Sequence, residues 1–326
     1  MSAIPKGSLV LVTGANGLVG SHVVDQLLAA GYNVRGTVRT ESKGAWLKTY
    51  CDDKYGENRF QVALVPDMAS KGAFNEAIKD PSNSLKVIPG VVQGIRDVLE
   101  SALSEPSVKR FVFTSSSTAA TNPKPDVSFS IPGDMWNAET VEQAWAPPPY
   151  TPDRKWDVYG ASKTQAEQEL WKFVNDHKKD IGFVANAILP NAMFGRIIDP
   201  TNQPASTAGW ITGLYSNGFT YQQDIAPQYF INVADSARLH VAALIDTTIA
   251  NERIFGFNGP FNWNDILRVL RKLRPNHKLP EDLEDNKQDL SKVLKRGRAE
   301  DILKKHYGVG FTSLEETLKA NIAHLE

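Results

Sequence analysis

The stretch Ser8-Leu9-Val10-Leu11-Val12-Thr13-Gly14-Ala15-Asn16-Gly17-Leu18-Val19-Gly20 decides how this chain folds. Its first six residues form a nearly continuous apolar run, the pattern of a strand buried on both faces of a parallel sheet. Glycines follow at once in G-x-x-G-x-x-G spacing. Without Cβ atoms the backbone can turn tightly and approach a pyrophosphate, while the next helix aims its free N–H groups at the phosphates. Val23, Val24, Leu27 and Leu28 give that helix one apolar face, and Gly31 closes it. Residues 33–38 read as the second strand. Strand, glycine turn, helix, strand is the setting of a dinucleotide site, with Gly14, Asn16, Gly17, Leu18 and Gly20 as its contacts.

The end of the second strand bears on which dinucleotide. An NAD site usually places an acid there for the ribose hydroxyls. Here the strand ends Thr37-Val38-Arg39, the first acid is Glu41, and Lys43 follows. Arg39 offers a guanidinium fork to a 2′-phosphate and Lys43 a second positive charge, so NADP(H) is favoured over NAD. Residues 59–66 read as a third strand, with Asp67 and Met68 placed to rest against an adenine ring and a helix over 69–79 behind them.

Simple alternation then fails. A polar link, Asp80-Pro81-Ser82-Asn83-Ser84, leads into a helix over 85–103 with Val91, Val92, Ile95, Val98, Leu99 and Leu103 at helical spacing. A doubly wound sheet should have a strand before that helix, and no apolar run supplies it. Either the sheet is one strand short near 80–84, or residues 85–88 form a stub.

Residues 108–114 are a strand ending in Ser115-Ser116-Ser117-Thr118. Hydroxyls at the carboxyl end of a parallel strand lie where such folds bind ligands, although serines also start loops. Residues 119–155 read as a long, irregular, proline-rich loop covering a site. The next helix carries Tyr159 and Lys163, which share one face at i and i+4. There the lysine charge would favour ionisation of the phenol, and the phenol could deliver a proton to a carbonyl oxygen. A strand over 183–189 ends at Pro190-Asn191. Further on, strands are expected over 228–233 and 253–257, and helices over 235–244, 265–273, 299–306 and 313–324. Ser313 and Glu316 form a capping box at the last of these. The expected architecture is α/β: a doubly wound parallel sheet with a smaller, interleaved C-terminal substrate lobe. The dinucleotide domain takes 1–190 plus about 228–257, and the lobe about 191–227 plus 258–326.

Composition excludes several classes. The 326 residues are 41% hydrophobic and 22% charged with net charge −1, so a sizeable core is expected and no nucleic-acid partner. One cysteine, Cys51, forbids an intramolecular disulfide and suits a reducing compartment. There is no apolar run near ~18 residues and no secretory pattern, so no membrane association is expected and the cytoplasm is the expected location. The histidines are scattered without a metal-ligand spacing, so no metal is expected, and no G-x-S-x-G elbow points to a hydrolase.

Glycine turn, strand-end serine and Tyr-x-x-x-Lys helix together resemble the short-chain dehydrogenase/reductase superfamily, and the long C-terminal lobe its extended branch. The runs 9–17, 108–116, 159–164 with Ala166-Glu167, and 187–191 resemble the dihydroflavonol-reductase-like group, close to fungal NADPH-dependent aldehyde and ketone reductases. The resemblance implies Tyr159 as proton donor and Lys163 as the lysine that binds the nicotinamide ribose and tunes it. It implies Ser116, or Ser117 if the register slips, as the hydrogen-bond partner of the substrate oxygen, with Pro190 and Asn191 against the nicotinamide. It implies reduction of a small-molecule carbonyl to an alcohol by a monomer or homodimer. Phe194, Trp210, Ile225 and Tyr229, with Trp136, are candidates to line the substrate site. Epimerisation, hydroxysteroid oxidation and a regulatory NADP-binding role are the alternatives. The group also has a strand after the third helix, beside the first strand. Here a strand-and-loop length of ~15–20 residues is missing, the mark of a deleted or mis-spliced form of an active reductase with a weakened hold on cofactor.

Overall fold

The computed structural model describes residues 2–66 and 84–325. Asp67, Met68, the helix expected over 69–79 and most of the polar link at 80–84 lie outside the described residues. The chain opens with β1 (Leu9–Val12), α1 (Leu18–Ala29), β2 (Asn33–Val38), α2 (Glu41–Tyr55) and β3 (Phe60–Leu64). The three strands pair in parallel in the order β1-β2-β3. Val12, Val34 and Phe60 turn inward onto Val24, Leu27 and Leu28 of α1 and Leu47 and Cys51 of α2. Burial pushes the Cys51 thiol up to about 12, which makes it a core residue and not a nucleophile.

α3 (Ser84–Ser104) follows, so residues 85–88 open a helix and do not form a strand stub. Ile88, Ile95 and Leu99 recur on its buried face at helical spacing. β4 (Arg110–Thr114) comes next, then a segment expected to be irregular throughout. It contains the short β5 (Ser130–Ile131) and a two-turn helix, α4 (Ala138–Trp145). Asn137 starts α4 by accepting from Thr140 N–H with its side chain, a cap with no apolar run behind it to mark the helix in sequence. α5 (Lys155–Asp176) carries the Tyr-x-x-x-Lys pair, and β6 (Val184–Pro190) and β7 (Ala192–Phe194) follow.

The remainder is α6 (Ala208–Asn217), β8 (Gln228–Asn232), α7 (Val233–Ile245), β9 (Arg253–Gly256), β10 (Gly259–Phe261), α8 (Trp263–Leu273), β11 (Lys292–Val293), α9 (Arg296–Tyr307) and α10 (Leu314–Asn321). Asn262 caps α8 in a box with Asp265, and Ser313 caps α10 with Glu316. β4, β6 and β9 form a second parallel sheet in the order β4-β6-β9. Leu99, Leu170, Phe173, Ala187, Leu189 and Phe255 fill its core against α3 and α5. Ile188, Leu239, Ile254 and Ile302 fill the other side against α7 and α9. β8 pairs with β7 in parallel and with β10 antiparallel, so residues 228–232 join a small separate sheet under the C-terminal lobe. β5 pairs with β11, tying the segment after β4 to the C-terminal part of the chain.

The two parallel sheets share no hydrogen bond, and among the described residues no strand lies between β1 and β4. Leu9 and Leu11 of β1 are 49% and 58% exposed. A strand inside a doubly wound sheet is usually buried on both faces, and β1 is not. Whether a strand precedes α3 falls on residues outside the described ones. Helices and loops join the halves instead. α7 packs on α1 through Val241, Leu244 and Ile245. Ala3 N–H donates to Ile245 O at 2.6 Å, and Gln203 Nε2 donates to Ser21 Oγ at 2.7 Å. Burial lowers the pKa of His22, leaving a neutral ring whose Nε2–H donates to Arg196 O at 2.8 Å.

Candidate active site

The phosphate end of the site is set by backbone geometry. Gly14 sits at φ +60° with open space where a Cβ would project. At Gly20 a Cβ would lie 2.3 Å from Gly14 O, so the turn closes on the helix only if residue 20 has no side chain. Gly17 is the extended residue before α1, and no side chain caps the helix there. The first N–H groups of α1, from Leu18 onward, are therefore left for an anion. Asn16 lies half-buried in the turn. Thr37 of β2 fixes the turn from below: its Oγ1 accepts from Gly14 N–H at 3.2 Å and its carbonyl from Ala15 N–H at 3.0 Å. Gly36 is also obligatory, because a Cβ there would stand 2.6 Å from Ala15 Cβ and 2.7 Å from the Phe60 ring. Sequence reading missed both, since neither stands out until the β2 register is known. Arg39 and Lys43 are exposed at the start of α2, and neither forms an ion pair among the described residues. The turn, the uncapped helix and the two exposed cations fit a phosphorylated dinucleotide.

The second part of the site gathers at the carboxyl end of β4. Lys163 Nζ donates to Thr114 O at 3.2 Å, which fastens α5 to the strand end. Ser116 is extended and caps a single turn of 3-10 helix. Its Oγ accepts from Thr118 N–H at 3.2 Å and bonds Thr118 Oγ1 at 2.9 Å. With the Thr118 hydroxyl donating, Ser116 keeps its own proton to give to another oxygen. Ser117 is turned instead into a crevice of about 10 Å³ shared with Thr121, Asn122, Asn191 and Asp289. Tyr159 is 43% exposed, and its hydroxyl makes no hydrogen bond to any described residue. The next residue, Gly160, lies against α4: a Cβ there would come within 2.8 Å of Thr140 Oγ1. Thr140 in turn donates to Asp157 O at 3.2 Å. The helix that sequence reading missed is thus what the start of α5 leans on.

Pro190 ends β6, and a Cβ on the facing Gly256 would be 3.2 Å from Pro190 Cα. Asn191 is buried, with its N–H on Gly256 O at 3.1 Å and its Oδ1 accepting from Ala192 N–H at 2.8 Å. The four aromatic and aliphatic candidates serve packing. Phe194 is fully buried, stacked on Phe230 and edge-on to Phe261 and Trp210. Trp210 and Ile225 pack against the same cluster. Tyr229 is buried beside Phe257, its hydroxyl donating to Ser291 O at 2.8 Å. Trp136 lies 4.0 Å from the Arg253 guanidinium. Among the described residues there is no cluster of potential metal ligands and no helix long and apolar enough to cross a membrane.

A dinucleotide turn on one parallel sheet and a Ser, Tyr-x-x-x-Lys set at a strand end of another define an extended short-chain dehydrogenase/reductase, an oxidoreductase acting between alcohol and carbonyl. The chain belongs to the NAD dependent epimerase/dehydratase family, whose pattern it matches over residues 10–254. It is 41% identical to aldehyde reductase 2 of Sporidiobolus salmonicolor, covering 98% of this chain and 96% of that protein. It is 34% identical to ketoreductase adrE of Penicillium rubens, covering 98% and 97%. The first of these matches runs over 333 positions, more than the 326 residues here, so that relative carries residues with no counterpart in this chain. The fold is that of Gre2 from Candida albicans, solved in complex with NADPH: TM-score 0.80 at 20% identity, covering 98% of each chain.

Proposed function

We propose that this protein reduces aldehydes or ketones to alcohols with NADPH, and that Tyr159 is the proton donor. The observation that carries the reading is the Lys163–Thr114 contact. It holds the Tyr-x-x-x-Lys helix against the strand end that bears Ser116. NADPH, when bound, supplies the hydride for the carbonyl carbon. Gly14, Asn16, Gly17, Leu18 and Gly20 hold its pyrophosphate, Arg39 and Lys43 its 2′-phosphate, and Pro190 and Asn191 border the nicotinamide. Asp67 and Met68, by the group's pattern, border the adenine.

The protein's own groups do the acid–base work. Ser116 donates its free hydroxyl proton to the substrate oxygen and stabilises charge there. Tyr159, open to the solvent side, delivers the proton that makes the alcohol. Lys163, one turn along the same helix face, holds that face to the strand end through Thr114 O. The dinucleotide domain comprises 1–190 with about 228–257, and the lobe the rest. The protein acts as a monomer or homodimer in the cytoplasm.

A panel of carbonyls with NADPH or NADH, read as cofactor oxidation, tests the activity and the cofactor choice together. Tyr159→Phe is expected to lower kcat by about 10²–10⁴-fold while NADPH binding, followed by fluorescence, stays within about threefold. Full activity in that variant would remove Tyr159 from the mechanism. Faster turnover with NADH would remove Arg39 and Lys43 from cofactor selection.

A further inference from the structure

Glu167 is completely buried on α5, one turn beyond Lys163 on the same helix face. Its carboxylate gathers three elements. It accepts from Ser115 Oγ at 2.6 Å, from Arg253 Nε of β9 at 2.7 Å and from Trp171 Nε1 at 3.1 Å. Arg253 is held in place by donating to Gly133 O at 2.9 Å and Met135 O at 2.7 Å, with its guanidinium over Trp136. Taking a carboxylate and a guanidinium out of water costs several kcal/mol each, and apolar residues of similar volume often serve stability as well or better. Packing alone therefore does not call for this pair. A carboxylate adds direction: its oxygens accept along fixed lines from a strand end, a neighbouring strand and the next turn of its own helix.

Ser115 stands between two residues that matter. Thr114 supplies the carbonyl that Lys163 holds, and Ser116 is the partner of the substrate oxygen. The Ser115 hydroxyl points away from the substrate side and into Glu167. We propose that Glu167 is a positioning residue, which through Ser115 sets the strand end carrying Ser116 against the helix carrying Tyr159 and Lys163, with Arg253 as its counter-charge. This rests on the reductase reading given above. None of the three residues touches the reacting atoms. They hold the distance between groups that do.

The test compares Ser115→Ala, Glu167→Gln and the double variant with the unaltered protein. Ser115→Ala removes one hydroxyl and leaves the ion pair intact. It is expected to lower kcat on the order of 10–100-fold, as small misplacements of reacting groups do. KM for the carbonyl, NADPH affinity and Tm should stay close to the unaltered values. Glu167→Gln keeps the shape, removes the charge and should lower kcat at least as far. The double variant should be no slower than Glu167→Gln by more than about threefold, because both changes break one link. If Glu167→Gln does not fold, Ser115→Ala decides alone. A Ser115→Ala protein with kcat within twofold of the unaltered one overturns the proposal, as does an effect on KM alone or fully multiplied losses in the double variant. An unaltered protein inactive on every carbonyl, or an active Tyr159→Phe, overturns the functional reading first. An active unaltered protein with an indifferent Ser115→Ala overturns this inference only.

Discussion

The β1-β2-β3 sheet and the β4-β6-β9 sheet are built from the same alternation of parallel strand and helix, yet they bury their strands differently. In β6 the run Ala185, Ala187, Ile188, Leu189 is wholly enclosed, with helices on both faces and strands on both edges. In β1 the run Leu9-Val10-Leu11-Val12 has, among the described residues, α1 on one side, and Leu9 and Leu11 remain exposed. The β1 run is no less apolar than the β6 run. What differs is the number of neighbours, so an apolar run shows what a strand can bury and the sheet order shows what it does bury. The chemistry divides along the same line. The groups proposed for acid–base work stand at the end of half-buried β4, beside enclosed β6, and the glycine turn stands at the end of β1, with α1 and α7 packed together across the two sheets.

Four measurements can break or sharpen that contrast. Leu189→Ala, in the enclosed sheet, should cost about 2–5 kcal/mol in urea unfolding, the ordinary loss for a buried leucine. A cost under about 1 kcal/mol would mean that this sheet is no better packed than its neighbour. Acid should act on the same sheet next. His240 donates Nδ1–H to Ser236 O at 2.7 Å and accepts at Nε2 from Thr114 Oγ1 at 2.8 Å, and burial lowers its pKa to about 4. The unfolded chain takes up this proton near pH 6.5 and the folded protein only near 4. The stability contributed is therefore whole above 6.5 and lost as pH falls through that window, by roughly 1.4 kcal/mol per pH unit. His240→Gln should reduce the slope, leaving what His22 and His324, whose pKa values burial also lowers, contribute. An unchanged slope would refute the assignment.

The half-enclosed sheet should respond through cofactor binding as well as through stability. Gly20→Ala forces a Cβ onto Gly14 O and should weaken NADPH binding by at least about tenfold, or ~1.4 kcal/mol. Overpacking should add about 1–3 kcal/mol of destabilisation. Unchanged affinity would detach the turn from the cofactor. Leu11→Ser should be nearly silent, within about 0.5 kcal/mol, because its side chain is exposed already. A loss of several kcal/mol would show β1 covered in solution and erase the difference between the sheets.

Much of this was legible beforehand because it is local. A glycine turn between a strand and a helix, tyrosine and lysine one turn apart, and a serine two residues beyond a strand end are set by spacings of a few residues. The helix at 138–145 was not legible, because its start depends on one asparagine cap in a stretch whose prolines and tryptophans read as loop. Phe194 and Tyr229 looked equally suited to a pocket wall or a core, and only the strand pairing of β7 and β8 encloses them. Glu167 appeared in sequence as one more acid on a helix, with nothing to mark its buried partners 52 and 86 residues away.

By itself, then, the amino-acid order determined the glycine turn, the Tyr-x-x-x-Lys helix and the basic end of β2. Each follows from backbone sterics or helical period acting over one or two turns. Tertiary structure alone decided that the described strands pair as two separate parallel sheets, that α1 and α7 pack together across them, and that a buried carboxylate ties the strand end to the helix. Those outcomes depend on which distant segments meet, and the free energy of such meetings comes from burial and pairing that no short window of residues contains.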